Sequence, residues 1–449
     1  MNITIIGTGY VGLITGACFA EMGNQVICVD NDDEKVDKFN GGSLHIYEPG
    51  LNLIYSRNRK EGRLHFTSDL AAAITEADIV FLALPTPSKE DGSADISFVL
   101  NVSDSLAKLF SEGKKNSNYK YKLLVNKSTV PVGTAARIKE ILEESGLTAG
   151  EDFDVASNPE FLREGHAVED FMKPDRVVIG ASSPKAQKIL KEIYNPFVRS
   201  GNPIIVMDEK SAEMTKYASN SYLAARITFI NEIANLCEQI GANVDHVRYG
   251  MGTDRRIGTK FLYPGMGFAG SCFPKDVRAL SSMAEQSGYD FQMLNSILNV
   301  NRLQRTRILK KMTNYFGEDL KDLRIAVWGL AFKANTNDVR ESPSHYLIRA
   351  LVSKGATIIA FDPEALETTK QELGTLIEYA EDQYAALERA DALVIATEWN
   401  EFRRPDFKKM KKLMINPLIF DGRNLYEPNI ISQYGFEYFS MGRPEMSRK

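Results

Sequence analysis

The chain has 449 residues, of which 43% are hydrophobic and 25% charged, with a formal net charge of −5. That length predicts two or three domains, each able to bury a core, and the composition excludes disordered and collagen-like chains. The acidic balance argues against a nucleic-acid partner. Met1 runs straight into Ile3-Thr4-Ile5-Ile6 with no basic leader, and no apolar run reaches the ~18 residues of a membrane span. No membrane association is expected, and the location expected is cytoplasmic. Cys18, Cys28, Cys237 and Cys272 lack CxxC spacing and the five histidines are scattered, so neither a disulfide framework nor a metal site is indicated.

The chain opens on strand Ile3–Ile6, the turn Gly7-Thr8-Gly9-Tyr10-Val11-Gly12, a helical run through Ala17 and Phe19 to Gly23, and strand Gln25–Val29 ending at Asp30. GxGxxG carries information here because both flanking strands and the terminal acid are present. Gly7 makes the tight turn, Gly9 admits a pyrophosphate to the backbone, and Gly12 packs helix on strand. Asp30 would accept from the adenosine ribose and repel a 2′-phosphate, so NAD is expected rather than NADP. Cys18 and Cys28 fall within this unit, where packing explains them.

Three more buried strands are predicted, each with polar residues at its end. Ala77–Leu84 leads into Pro85-Thr86-Pro87, Lys122–Asn126 into Lys127-Ser128-Thr129-Val130-Pro131, and Phe153–Ala156 into Ser157-Asn158-Pro159-Glu160-Phe161-Leu162-Arg163-Glu164-Gly165. Strand ends of this kind receive ligands in doubly wound sheets. Taken singly, Thr129 and Glu160 are equally readable as turn and cap residues.

From Glu209 to Gly241 nothing breaks a helix. Leu223, Ile227, Ile230, Ala234 and Cys237 form one apolar stripe, and the same steps run backwards reach Asn220 and Lys216. A lysine on an inward face either needs a partner or a task, or snorkels out at the helix end. The length, close to ~50 Å at ~1.5 Å per residue, suggests a helix that joins domains or supports a dimer.

Gly265-Met266-Gly267-Phe268-Ala269-Gly270-Ser271-Cys272-Phe273-Pro274-Lys275-Asp276 combines glycines with a Pro-initiated helix through Val277, Leu280 and Met283. Cys272 falls just outside the helix N-terminus, where the dipole favours thiolate, and Asp276 lies in the first turn on the same side. A poised nucleophile with an acid/base neighbour and an inert packed cysteine are both consistent with this spacing.

The last third repeats the opening arrangement. Strand Leu323–Gly329, a helix from Ser344 to Lys354, strand Thr357–Pro363 and strand Arg389–Thr397 predict a second doubly wound unit, with Gly329-Leu330-Ala331-Phe332-Lys333 in place of GxGxxG. Lys333 and Arg340 could meet phosphates there or simply be solvated. Arg443 to Lys449 reads as a disordered tail. The fold class is therefore α/β, with two doubly wound Rossmann-like domains joined by a long central helix and a small helical region: residues 1–208, 209–305 and 306–449.

These motifs, together with Tyr47-Glu48-Pro49-Gly50 and Asp338-Val339-Arg340-Glu341-Ser342-Pro343, resemble the UDP-glucose/GDP-mannose dehydrogenase family over nearly the whole chain. The resemblance implies oxidation of a sugar C6 alcohol to a carboxylate with two NAD, with UDP-glucose as the substrate. Carried onto matching positions, it implies that Cys272 forms a thiohemiacetal and then a thioester, and that Lys216 assists proton transfer beside Asn220. Asp276 would handle protons with Lys216, and Glu160 and Thr129 would position water. Glu160, Phe161, Leu162, Arg163, Lys216, Asn220, Phe261, Leu262, Tyr263, Gly265, Gly267 and Lys333 would hold the nucleotide sugar, with Arg256 reaching across a homodimer or higher homo-oligomer. Gly7, Tyr10, Val11, Asp30, Lys35, Thr86, Thr129, Glu164, Lys275 and Arg340 would hold NAD. Tyr263 departs from some relatives. Other readings are a dehydrogenase of GDP-mannose or a UDP-N-acetylhexosamine, and a catalytically silent nucleotide-sugar sensor.

Overall fold

The structure is a computed structural model that describes residues 1–115, 119–198 and 201–444. It divides into two compact units, Met1–Ser219 and Asn220–Lys449. Among the described residues no helix is long and apolar enough to cross a membrane.

The first unit is built on eight strands: β1 (Asn2–Ile6), β2 (Gln25–Val29), β3 (Leu64–Thr67), β4 (Ile79–Leu82), β5 (Lys122–Asn126), β6 (Phe153–Ser157), β7 (Val177–Gly180) and β8 (Ile204–Met207). Their order across the sheet is β3-β2-β1-β4-β5-β6-β7-β8, so the first six follow the 3-2-1-4-5-6 Rossmann order. The expected β1, β2, β4, β5 and β6 are present, with ends shifted by a residue or two. The final pair departs from a wholly parallel sheet, since β7 meets β6 antiparallel at Ser157 and Gly180 while pairing parallel with β8. Apolar runs such as Ile79–Leu82 are buried on both faces, which is why they read as continuous rather than alternating. On one face, Phe19 of the helix Tyr10–Glu21 packs its ring against Phe81, Phe171, Tyr194 and Phe197. Cys18 and Cys28 are buried there, and burial pushes both thiols up, as suits packing residues.

The second unit holds β9 (Arg324–Trp328), β10 (Thr357–Phe361), β11 (Glu378–Tyr379), β12 (Ala392–Ile395), β13 (Leu418–Asp421) and β14 (Glu437–Phe439). All pair in parallel in the order β11-β10-β9-β12-β13-β14, the same relative order as the first sheet. The repeated arrangement has a different use for its strand-end acid. Asp362, after β10, accepts from the N–H groups of Leu330, Ala331, Glu364 and Ala365 and from the Trp399 indole. It is fully buried, so unlike a ribose-binding acid its oxygens are consumed by the fold.

The long helix runs Glu209–Ile240, close to the expected limits. The predicted stripe is used inside the chain: Ile230, Ala234 and Cys237 form a core with Val244 and Leu262. A second row at seven-residue spacing, Tyr222, Phe229 and Leu236, is 62%, 52% and 54% exposed. The expected disordered tail is corrected at its start. Arg443 is buried, donating to Asp245 at 2.6 Å and to the Tyr426 carbonyl at 2.6 Å, because a guanidinium with enough acceptors can be buried where a solvated tail would leave it free. The rest of that tail from Glu445 lies outside the described residues.

Candidate active site

In the first unit the β1 turn is shaped for a bound phosphate. Gly7 has φ +97°, and a Cβ there would lie 2.4 Å from the Ala83 carbonyl oxygen; one on Gly12 would lie 1.9 Å from that of Gly7. Those two glycines are required by the protein's own packing. Gly9 is not, since no protein atom lies within 4 Å of its would-be Cβ. Gly9 caps the helix Tyr10–Glu21 without a side-chain hydrogen bond, and the first turn carries no acid. The early N–H groups and the positive helix end thus lie beside an open backbone surface, a fit for the pyrophosphate of a dinucleotide.

Asp30 lies at the end of β2 as expected, and its carboxylate already has partners. Thr8 donates to it from N at 3.0 Å and from its hydroxyl, and Lys35 Nζ stands 2.7 Å away. Burial would raise the Asp30 carboxyl, but Lys35 and Thr8 together hold it below its ordinary value. Tyr10 donates its hydroxyl to Glu48, which also accepts from the N–H groups of Gly165 (2.6 Å) and Ala167 (2.7 Å), next to Glu164. Val11 packs against the core from the same helix. The tails of β4 and β5 are stitched together: Ser128 Oγ donates to the Leu84 carbonyl and accepts from its N–H, both at 2.8 Å, and Thr86 donates to the Thr129 carbonyl at 2.8 Å. Glu48 and Ser128 have no role that the sequence predicts; a polar residue beside a motif glycine or threonine is their available signal.

Glu160 and Lys216 meet at 2.8 Å, each almost wholly buried. The helix therefore does not let Lys216 snorkel. Burial alone would raise the Glu160 carboxyl, yet it is held below its ordinary value by the Lys216 ammonium, the Leu162 N–H at 2.6 Å and the charge on Lys127. The Phe161 ring lies under both Arg176 (3.7 Å) and Lys216 (5.4 Å). Arg163 turns to Asp170, bonding it from Nε at 2.9 Å.

In the second unit, Cys272 is the N-cap of the helix Phe273–Gln286, with Pro274 in its first turn. Its Sγ is half-buried and lies 3.4 Å from Ser271 Oγ. Asp276 is 1% exposed; Asn220 donates to it at 2.6 Å and Lys275 at 2.6 Å. Asn220 follows Lys216 by one turn of the same helix, so one face of Glu209–Ile240 presents first an ammonium and then an amide.

The glycine-rich loop before Cys272 is fixed by four amide side chains on two helices. Asn231 accepts from Gly265 N (2.8 Å), Gln304 donates to Gly265 O (2.7 Å), and Asn301 both accepts from Phe268 N (2.8 Å) and donates to Phe268 O (3.0 Å). Asn235 supports Gln304 at 2.9 Å. A Cβ on Gly267, at φ +102°, would lie 2.6 Å from Asn301 Oδ1, so the amide excludes any larger residue. Sequence reasoning missed this clamp, although polar residues in apolar helix stripes had identified Asn220.

The remaining expected residues are dispersed. Phe261 has φ +62°, its ring 6.3 Å from that of Phe273; Leu262 is core; Tyr263 lies under Arg248 at 4.2 Å. Arg226 fixes the preceding turn through the carbonyls of Ile257, Gly258 and Lys260. Arg256 and Arg340 are exposed and paired locally with Asp254 and Asp338. Lys333 sits over its neighbour Phe332. Among the described residues no group of three His, Cys, Asp or Glu is placed to hold a metal.

Residues 1–198, 210–303 and 326–428 match, in that order, the NAD-binding, central and UDP-binding domains of the UDP-glucose/GDP-mannose dehydrogenase family. The UDP-glucose 6-dehydrogenase of Pseudomonas aeruginosa is 46% identical, over 99% of this chain and 98% of that protein. A solved UDP-glucose dehydrogenase from Pyrobaculum islandicum superposes with a TM-score of 0.88 at 35% identity, covering 97% of this chain and 96% of that one. The UDP-D-ManNAc dehydrogenase of Pyrococcus horikoshii gives 0.83 at 27% identity, over 99% of each chain.

Proposed function

Because the chain belongs to the UDP-glucose/GDP-mannose dehydrogenase family, we propose that it oxidises UDP-glucose at C6 to UDP-glucuronate, a four-electron reaction that reduces two NAD. The observation that carries this reading is Cys272 at the uncapped start of a helix, followed one turn later by buried Asp276. The higher identity to a UDP-glucose 6-dehydrogenase than to a UDP-D-ManNAc dehydrogenase, 46% against 27%, supports the choice of sugar.

NAD, when bound, accepts a hydride from C6 in each of the two oxidations. Gly7, Gly9, Tyr10, Val11, Gly12, Asp30 and Lys35 would hold it, with Thr86, Thr129, Glu164, Lys275 and Arg340. Cys272 adds through Sγ to the C6 aldehyde, and its proton passes to a neighbouring base. The resulting thiohemiacetal keeps a hydrogen on a tetrahedral carbon, so the aldehyde is retained and can be oxidised again. Loss of that hydrogen as hydride leaves a thioester, and water cleaves it to acid and thiol. Lys216, held as a donor by Glu160, would stabilise oxygen charge, and Asn220 with Asp276 would steady the proton inventory. Glu160 and Thr129 would position the water.

We assign 1–208 to NAD binding, 209–305 to dimerisation and the cysteine loop, and 306–449 to the UDP group. A homodimer along the Glu209–Ile240 helix is supported by the exposed row Tyr222, Phe229 and Leu236, with Arg256 offered to the partner copy. Cytoplasmic location is supported by the buried thiols of Cys18, Cys28 and Cys237, which suit a reducing compartment. The deciding assay is NADH formed per sugar consumed across UDP-glucose, GDP-mannose and UDP-N-acetylhexosamines. Two NADH on UDP-glucose alone is expected; preferred turnover of another sugar would replace the substrate, and no turnover of any would favour a silent sensor.

A further inference from the structure

Lys127 is 3% exposed, and among the described residues its ammonium is paired with no carboxylate. Its Nζ donates to Asn158 Oδ1 at 3.0 Å, to the Asn158 carbonyl at 3.5 Å and to the Tyr194 hydroxyl at 3.3 Å. The rings of Phe171 and Tyr194 each lie 5.7 Å from it. A core needing only volume here would be better filled by an apolar side chain, because an ammonium among neutral oxygens and rings is costly to bury. The site is nonetheless constructed with care. Tyr194 donates to Asn158 Oδ1 at 2.5 Å, and Asn158 is fixed in turn by donating to the Val178 carbonyl at 2.8 Å and bonding Asn126 O through its N–H at 2.8 Å.

Asn158 stands two residues before Glu160, so the contacts that hold Lys127 also hold the segment bearing that carboxylate. The ionisable groups around Lys127 can be named element by element. The β6 tail supplies Glu160, and the Glu209–Ile240 helix supplies Lys216. The helix Pro184–Tyr194 supplies Tyr194, whose hydroxyl burial pushes well above its ordinary value, so it stays neutral. The helix Ala167–Met172 supplies the Phe171 ring. Two cations thus act on one buried anion, Lys216 by contact and Lys127 through its charge.

We propose that Lys127 is a positioning residue for the Glu160–Lys216 pair, its buried ammonium adding a second cation to that region and its bonds to Asn158 fixing the segment that carries Glu160. This rests on the role given to Glu160 above. The direction of coupling agrees: Lys127 contributes to holding the Glu160 carboxyl down, and Glu160 opposes the desolvation that lowers the Lys127 amine to about 8. A protonated Glu160 carboxyl would offer the Lys216 ammonium a neutral oxygen in place of a carboxylate and so weaken a charge-assisted bond.

The test uses the full-length enzyme with Lys127→Met and, as a second neutral side chain able to bond Asn158, Lys127→Gln. Folding is checked by urea unfolding, and kcat and the KM for NAD are measured from pH 5.5 to 9.5. Both variants are expected to keep the KM for NAD within about 2-fold, to lose about 10-fold in kcat near neutrality, and to shift the acidic limb of kcat upward by roughly one pH unit. Glu160→Gln is run beside them. Wild-type turnover in Glu160→Gln would remove the role of Glu160. Impaired Glu160→Gln alongside an unshifted acidic limb in the Lys127 variants would overturn the role of Lys127 alone. Should one Lys127 variant not fold, the other decides on the same criterion, and failure of both to fold would make the residue structural and overturn the proposal.

Discussion

Glu213 and Lys216 lie three residues apart on one helix, both 3% exposed, and bind different parts of the same sheet end. Glu213 accepts from Gly133 N (2.7 Å), Ala135 N (2.9 Å) and Ser157 Oγ (3.0 Å), while Lys216 reaches Glu160. The helix Thr134–Glu144 begins at Gly133, which offers no capping side chain of its own, so Glu213 serves as its cap from another helix. The contact lies one turn before Lys216 and steadies the start of the helix that carries it.

Glu213→Ala strands buried N–H donors and should cost about 3 kcal/mol of unfolding free energy, while Glu213→Gln, which keeps one acceptor oxygen, should cost about 1–2 kcal/mol. In folded Glu213→Gln, kcat should fall by more than the KM for NAD rises, since the disturbed element carries Lys216 rather than the dinucleotide turn. Urea unfolding and initial rates check both. An alanine variant as stable as wild type would show that the cap is not needed.

Asp30→Asn should raise the KM for NAD and relax the bias against NADP. The substitution removes a carboxylate that would repel a 2′-phosphate, and it frees the Lys35 ammonium now held at 2.7 Å. A gain of about 10-fold in kcat/KM for NADP corresponds to ~1.4 kcal/mol, a modest demand on one released cation. Matched-concentration rates with the two cofactors decide it, and an unchanged ratio would detach Asp30 from cofactor choice.

Much of this was legible because local chemistry and global fold agree. The β1–turn–helix–β2 unit, the Glu209–Ile240 helix and the cap position of Cys272 each follow from spacing of apolar, glycine and proline residues over a short window. What stayed hidden is non-local. Asn301 and Gln304 contact a loop more than thirty residues earlier, and their role depends on which helix face meets that loop. Asp362 ends its strand as Asp30 does, and only the long-range bonds from Leu330, Ala331 and Trp399 distinguish its structural role. The strands β3 and β14 are short and offered too few apolar residues to stand out, while β8 is apolar but only four residues long and partly exposed. Stripe membership alone could not say whether Ile230 and Ala234 served a dimer or their own core.

The stability of the fold should depend on pH through Lys127 in a predictable direction. An unfolded lysine keeps its proton to about 10.4, whereas folded Lys127 releases it near about 8. Between those values the unfolded chain binds more protons, so raising the pH favours the folded state by up to about 3 kcal/mol through this residue alone. Other groups titrate too, and the comparison with Lys127→Met removes their common contribution. Urea unfolding of both proteins at pH 7.5, 9 and 10 should show wild type gaining on the variant. A constant gap, or one moving in the variant's favour, would mean that the charged amine is not disfavoured in the fold.

The last prediction concerns the order of chemical steps at Cys272. If its sulfur enters only once the aldehyde exists, the first hydride transfer from the C6 alcohol does not require it, whereas completion to the acid does. Cys272→Ser should therefore bind NAD and UDP-glucose yet lose steady-state formation of UDP-glucuronate by at least about 10³-fold. A serine hydroxyl, with its much higher pKa, supplies almost no anion at neutral pH even at a helix N-terminus, and any ester it forms hydrolyses less readily than a thioester. On limiting UDP-glucose, wild type should form two NADH per sugar; the variant should stop after at most one, with the aldehyde released or held as an adduct visible in intact-protein mass. The Ser271 hydroxyl, 3.4 Å from Sγ, is a possible substitute nucleophile, so Ser271→Ala in the same background separates the two oxygens. One NADH per sugar in wild type would exclude the four-electron reaction. Undiminished turnover in Cys272→Ser, persisting with Ser271→Ala, would exclude covalent catalysis at this position.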